Sequence, residues 1–300
     1  MSSSTNELLQ KARKNKIPVP GFNIPYLPML EPIVQALRDS HSFGLIMVAR
    51  LEWTKFEAGS LTAVAEEYYR VMDERFTRLH LDHIPVIDED NLRVDYLPII
   101  RNAIKAGYQS VMIDGSRLPL ADNIAATRSV VELAHAAGVA VEGELGAVMG
   151  HEDGPTPSYE EIYASGKGFT NPAEAKQFIQ RTGVDWLSVA VGSIHGAISK
   201  AFKDQKKVQA RLNIPHLRSI SEMIDIPLVL HGGTGIPKQY ILDAVRHGCI
   251  KINIGTALRQ PYEQTRFRSP GKAQQVVYDT AMTLLRDELN ITGSAKIINP

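Results

Sequence analysis

A chain of 300 residues with 44% hydrophobic and 22% charged residues can build a large core and is too apolar for a disordered chain. Its 33 Lys and Arg balance 33 Asp and Glu, which argues against broad electrostatic binding to nucleic acid or an acidic membrane. One cysteine cannot close an intrachain disulfide, the opening MSSSTNELLQKARKNK lacks the apolar stretch of a secretory signal, and no apolar run approaches the ~18 residues of a membrane span. A soluble, cytoplasmic protein is expected.

Short runs rich in branched residues alternate with amphipathic segments along the whole chain. Strands are expected at residues 19–24, 44–49, 77–81, 110–113, 139–144, 186–191, 227–230 and 250–254, because these runs are too short for buried helices and are bounded by turn residues. Between them, residues 119–137 read as a helix ending at Gly138. Residues 171–182 open on Asn-Pro and stop at Gly183, and residues 237–247 stop at Gly248. Eight strands, each followed by helical sequence and with no linker between them, imply one α/β domain over residues 1–300, a closed (β/α)8 TIM barrel.

In such a barrel the C-terminal strand ends form the functional mouth. Polar, Gly-rich clusters fall at that end of strand after strand: His80-Leu81-Asp82-His83, Asp114-Gly115-Ser116, Glu142-Gly143-Glu144, Gly192-Ser193-Ile194-His195-Gly196, His231-Gly232-Gly233-Thr234 and Asn253-Ile254-Gly255-Thr256. His83, His195 and His231 come from strands three, six and seven. Three imidazoles with an open position suit a catalytic zinc, although each ring could instead serve only as a hydrogen-bonding group. Asp82 alternates with His83, so both reach the mouth only where the strand ceases to be regular. Asp82 is then an acid/base beside a metal-bound oxygen, or a carboxylate orienting a ligand histidine.

Asp114 and Glu144 offer a second cation position or an ordinary buried ion pair. Gly232, Gly233, Thr234, Asn253, Gly255 and Thr256 end strands seven and eight, where barrels frequently cradle a phosphate on backbone N–H groups. Residues 150–170 are too long for a typical βα loop. They read as a lid carrying Glu152 and Asp153, or as a solvated loop. Residues 200–207 read as a solvated charged stretch, and Cys249 as a small core side chain.

The ordered motifs GFN, HLDH, SVMIDGS, VEGELG, GHEDG, VAVGSIHG, LVLHGGTGI and KINIGT resemble those of class II, zinc-dependent ketose-bisphosphate aldolases, which cleave fructose or tagatose 1,6-bisphosphate. The likeness runs from about Gly21 to Leu258. It implies one zinc held by His83, His195 and His231, Asp82 as the acid/base, and Glu152 as the lid acid that moves the proton at C3. It also implies an alternate metal position at Asp114 and Glu144, and contacts to a phosphorylated sugar from Asn23, Gly196, Lys200, Gly232, Gly233, Thr234, Asn253 and Thr256. A monovalent cation, Na+ or K+, beside Gly192, Gly196 and Gly232 belongs to the same pattern, as does a homo-oligomer, dimer or tetramer.

A Schiff-base mechanism is disfavoured: residues 186–191 hold no lysine, and Lys251 at the start of strand eight is expected to lie away from the mouth. The chain departs from the fructose-specific pattern Asn-Ile-Asp-Thr-Asp, having Gly255 and Ala257 in place of both aspartates. Arg50, where a small hydroxyl residue is common, is expected to meet a phosphate or carboxylate on the aldehyde half, or to pair with Glu52. A ketose 1-phosphate or an unusual aldehyde is therefore an alternative substrate. A sugar-phosphate isomerase or epimerase and a non-catalytic sugar-phosphate-binding barrel are the alternative functions.

Overall fold

The branched runs become eight parallel strands, β1 (Val19–Asn23), β2 (Gly44–Ala49), β3 (Thr77–Pro85), β4 (Ser110–Asp114), β5 (Ala140–Leu145), β6 (Trp186–Val189), β7 (Leu228–Leu230) and β8 (Cys249–Ile254). Each pairs with the next, and β8 pairs with β1, closing the barrel. The computed structural model describes residues 3–146, 159–193 and 210–300.

The outward face of the strands is apolar. Ile46, Leu79, Val111, Val141, Leu187, Leu228 and Ile250 are fully or almost fully buried with the inner faces of the surrounding helices. These are α1 (Thr5–Asn15), α2 (Leu30–Asp39), α3 (Arg50–Thr54), α4 (Leu61–Val71), α5 (Tyr96–Lys105), α6 (Leu120–His135), α7 (Tyr159–Ser165), α8 (Pro172–Thr182), α9 (Ile214–Ser221), α10 (Lys238–Arg246), α11 (Thr256–Thr265) and α12 (Pro270–Thr283), with a short terminal α13 (Ala295–Ile298). Burying one such Leu, Ile or Phe contributes about 1.5–3 kcal/mol, so this ring of contacts dominates the stability of the domain. The capping signals act as the sequence implies. Asn171 accepts from the N–H groups of Ala173 and Glu174 at the start of α8, and Gly183 ends it at φ 74°.

Two strands differ from expectation by more than one residue at an end. β6 stops at Val189, two residues early, and β3 continues four residues past Leu81. The extension of β3 contains an irregularity: its register with β4 shifts between Leu81 and Ile84, and His83 lies at φ 24°. Positive φ is costly for a side chain such as histidine and is retained where surrounding structure imposes it. The bulge breaks the two-residue alternation, so Asp82 and His83 both reach the barrel mouth.

The opposite, N-terminal end of the barrel is closed by α1. Ser4 caps this helix, its hydroxyl accepting from Glu7 N–H while the Glu7 carboxylate accepts from Ser4 N–H. The Asn6 amide donates to Asp185 at 2.8 Å, the Trp186 indole N–H donates to Asn6 at 3.1 Å, and Thr5 donates to the Gln109 carbonyl at 3.1 Å. Among the described residues no helix is long and apolar enough to cross a membrane.

Candidate active site

In-register neighbours on parallel strands point the same way, so polar residues at alternate positions of β3, β5 and β8 converge inside the barrel. Asp82 from β3 lies at the centre. Asn253 of β8 donates to Asp82 Oδ1 and Asn23 of β1 to Asp82 Oδ2, each at 3.0 Å. Below it, Lys251 Nζ lies 2.7 Å from Glu142 Oε2 and 3.5 Å from Asp82 Oδ1, and all three side chains are buried. Burial resists ionisation of Asp82, but Lys251, His83 and His231 outweigh it and hold the carboxyl well below its usual range. Asp82 is thus an oriented, ionised carboxylate.

The two described histidines of the expected metal set stand edge to face above it, with ring centroids 4.3 Å apart. His231 Nε2 is 2.9 Å from Glu142 Oε1, and its Nδ1 is 3.5 Å from Glu144 Oε2. His83 Nδ1 lies 3.6 Å from that same Glu144 oxygen and 3.3 Å from Asp114 Oδ2. Burial opposes charge on His83, yet Asp82, Asp114 and Glu144 draw a proton onto it and raise it to about 10. His231, buried beside that charge, is lowered. Burial and the neighbouring Asp114 push Glu144 well above the usual carboxyl range, while hydrogen bonds from His83 and Ser116 pull Asp114 down against its burial.

Potential ligand atoms of Asp82, His83 and His231 lie within 4.8 Å of one another, and so do those of His83, Asp114 and Glu144. Glu144 Oε2 is buried with no hydrogen-bond partner. Two imidazoles, clustered carboxylates and an unsatisfied buried oxygen fit a divalent cation in character: a metal would replace the proton on His83 and satisfy Glu144. His195, Gly196 and Lys200, and the lid with Glu152 and Asp153, lie outside the described residues.

At the ends of β7 and β8, where a phosphate cradle is expected from the sequence, the backbones approach closely. A Cβ on Gly233 would sit 2.7 Å from Ile252 and 2.9 Å from the Asn253 carbonyl, so only glycine lets these strand ends meet. Gly233 N–H donates to that carbonyl at 3.1 Å, and Thr234 Oγ1 accepts from Ala257 N–H at 3.4 Å. Gly255 precedes α11, whose first turn has no capping side chain at that position. Ala257 N–H bonds Thr234 and those of Leu258 and Arg259 bond the Gly255 carbonyl, so the positive end of the helix dipole lies at Thr256.

Three features differ from the sequence reading. Lys251 is not remote: it points into the barrel directly beneath Asp82. The signal was its two-residue spacing from Asn253, which puts both on one face of β8. Arg50 does not pair with Glu52 but with Asp88 at 3.2 Å. Glu52 instead turns inward, accepting from Ala49 N–H at 2.7 Å and Asn23 at 3.4 Å. His80, in the sequence simply part of a polar strand end, is the third. It is fully buried beneath the mouth, 2.9 Å from Ser110, and burial together with Lys251 lowers it to about 3, so it is neutral.

A closed (β/α)8 barrel with a histidine–carboxylate cluster gathered in its mouth defines the class of barrels that carry their site at the C-terminal strand ends. Within that class, the chain belongs to the fructose-bisphosphate aldolase class II family, which it matches over residues 3–293. Its fold is shared with the YdjI aldolase from Escherichia coli K12, at 23% identity and a TM-score of 0.77, covering 98% of this chain and 100% of that one. It is shared too with the fructose-bisphosphate aldolase of Campylobacter jejuni, at 18% identity and a TM-score of 0.73, covering 96% and 94%.

Proposed function

We propose that this protein is a zinc-dependent aldolase that reversibly releases dihydroxyacetone phosphate and an aldehyde from a ketose 1,6-bisphosphate or a ketose 1-phosphate. The observation that carries this reading is the placement of one oriented, ionised carboxylate, Asp82, within 4.8 Å of two metal-competent imidazoles, beside the N-terminus of α11. His83 and His231, joined by His195 as the sequence pattern implies, would hold the metal, which when bound supplies Lewis acidity at the C2 carbonyl.

The chain's own groups account for the remaining requirements. Gly232, the close backbone approach at Gly233 and the positive end of α11 at Thr256 seat the C1 phosphate, which fixes the length of the sugar across the mouth. Asp82, held at both oxygens by Asn23 and Asn253, accepts the C4 hydroxyl proton as the C3–C4 bond breaks. The bonding electrons pass to the C2 carbonyl, giving an enediolate, and the C4 carbon leaves as the aldehyde. Glu152, the lid acid of the sequence pattern, returns a proton to C3.

The deciding experiment measures dihydroxyacetone phosphate release from a panel of ketose 1-phosphates and 1,6-bisphosphates, each with and without a chelator. Chelator-sensitive release supports the reading. Isomerised or epimerised sugar without carbon–carbon cleavage refutes it.

A further inference from the structure

Resting on the aldolase reading above, we propose that Glu52 selects the aldehyde half of the substrate, so that the enzyme prefers ketose 1-phosphates whose far end carries a hydroxyl over those carrying a second phosphate. The direction of the sugar follows from the site. Its phosphate end lies at β7, β8 and α11, and Asp82 takes the proton from the C4 oxygen. The atoms beyond C4 therefore extend past Asp82 toward the ends of β1 and β2. Glu52 stands there, one amide away from the base: Asn23 Nδ2 lies 3.0 Å from Asp82 Oδ2 and 3.4 Å from Glu52 Oε2. Ala49 N–H, 2.7 Å from that same Glu52 oxygen, fixes the carboxyl in place.

A phosphate dianion at this end would need cations. Among the described residues, those flanking this side already hold carboxylates of their own: Arg50 with Asp88 at 3.2 Å, Lys55 with Asp90 at 2.8 Å, Arg259 with Glu263 at 2.7 Å, and Arg266 with Glu57 at 2.6 Å. Seating a phosphate means breaking one of these pairs and placing the dianion against a carboxyl group. A hydroxyl needs neither. Burial, with Asp82 adding to it, pushes Glu52 up to about 8 despite the Ala49 hydrogen bond. Glu52 can therefore donate to a hydroxyl when neutral and accept from one when ionised. On the β8 side stands Gly255, where an added Cβ would make only ordinary contact with Asn23, 3.6 Å away, and which brings no charged group.

The test has two arms, run on the zinc-loaded full chain. The first compares kcat/KM for dihydroxyacetone phosphate release from fructose and tagatose 1-phosphates with that from their 1,6-bisphosphates. The second measures calorimetric binding of glucitol 1-phosphate and glucitol 1,6-bisphosphate, which lack the C2 carbonyl and cannot be cleaved. The wild type is expected to favour the monophosphate at least tenfold in both arms, run at pH 9, where Glu52, raised to about 8, is ionised. Glu52→Gln, which keeps the acceptor for Ala49 and Asn23 but cannot ionise, is expected to reduce that preference below threefold. Equal or better use of the bisphosphates by the wild type overturns the proposal without any variant, as does unchanged selectivity in Glu52→Gln. Absence of release from every ketose defeats the aldolase reading, whereas the binding arm still decides the role of Glu52. Failure of glucitol 1-phosphate to bind overturns that role.

Discussion

Replacing Lys251 by methionine keeps the length and bulk of the side chain while removing the one charge that lies beneath Asp82 and against Glu142. At an effective dielectric of about 20, charges 2.7 and 3.5 Å apart attract by about 6 and 5 kcal/mol before desolvation is subtracted. Removing one member of a buried pair costs about 3–5 kcal/mol net, because the remaining charge is stranded. Proton uptake sets a ceiling near the same value: neutralising a carboxyl of ordinary pKa, about 4.3, at pH 7 costs about 3.7 kcal/mol. Lys251→Met is therefore expected to lose about 4 kcal/mol at pH 7, a fall in Tm of about 6 °C.

The pH dependence gives the sharper check. In the wild type, Asp82 and Glu142 are held below their usual values, so their stabilisation is present above about pH 4 and is lost as pH falls through their folded-state values. Without the ammonium group the same carboxyls are raised, and the penalty is present at neutral pH and fades on acidification. The gap between wild type and variant should shrink from about 4 kcal/mol at pH 7 to about 1 kcal/mol at pH 5. Thermal unfolding followed by circular dichroism at the two pH values measures it. A loss below about 1 kcal/mol at pH 7, or a gap that does not change with pH, would refute this account of the buried charges.

Asp82→Ala is expected to lower kcat by at least about a thousandfold while leaving zinc content, read by metal analysis, unchanged. Because Asp82, Asp114 and Glu144 hold a proton on His83 up to about 10, zinc binding should expel it. Calorimetric titrations in buffers of different ionisation enthalpy should show about one proton released near pH 7, with affinity rising as pH rises. Asn6→Ala removes the bonds to Asp185 and Trp186 at the closed end of the barrel. It should cost about 1–2 kcal/mol in thermal unfolding with kcat unchanged.

The barrel is legible in the sequence because short branched runs bounded by Gly, Pro and Asn recur eight times, and burial on the strands' outer faces demands that pattern. The mouth is legible because its polar residues gather at one end of each run. What escapes is geometry that depends on partners far apart in the chain. The bulge in β3 cannot be read from HLDH, since nothing in four residues fixes a register against β4. The inward turn of Glu52 and the Arg50–Asp88 pair depend on how the segment after β2 meets the loop after β3. Lys251 was accessible in principle: once Asn253 is placed in the mouth, strand alternation carries Lys251 into the interior. Its position near the start of β8 hid this, because its long side chain spans the distance to Asp82.

The helix that closes the bottom of the barrel has a consequence for how the molecule assembles. α1 is the first element of the chain, yet Asn6 reaches Asp185 and Trp186 some 179 and 180 residues downstream, and the helix packs against β8, the last strand. Contacts of such separation form only after the intervening chain has lost most of its freedom, which makes them late and slow. The N-terminal helix is therefore expected to dock late in folding. Strain or bulk attached to it burdens maturation of the protein, while the reactive face, at the far side of the molecule, is left untouched.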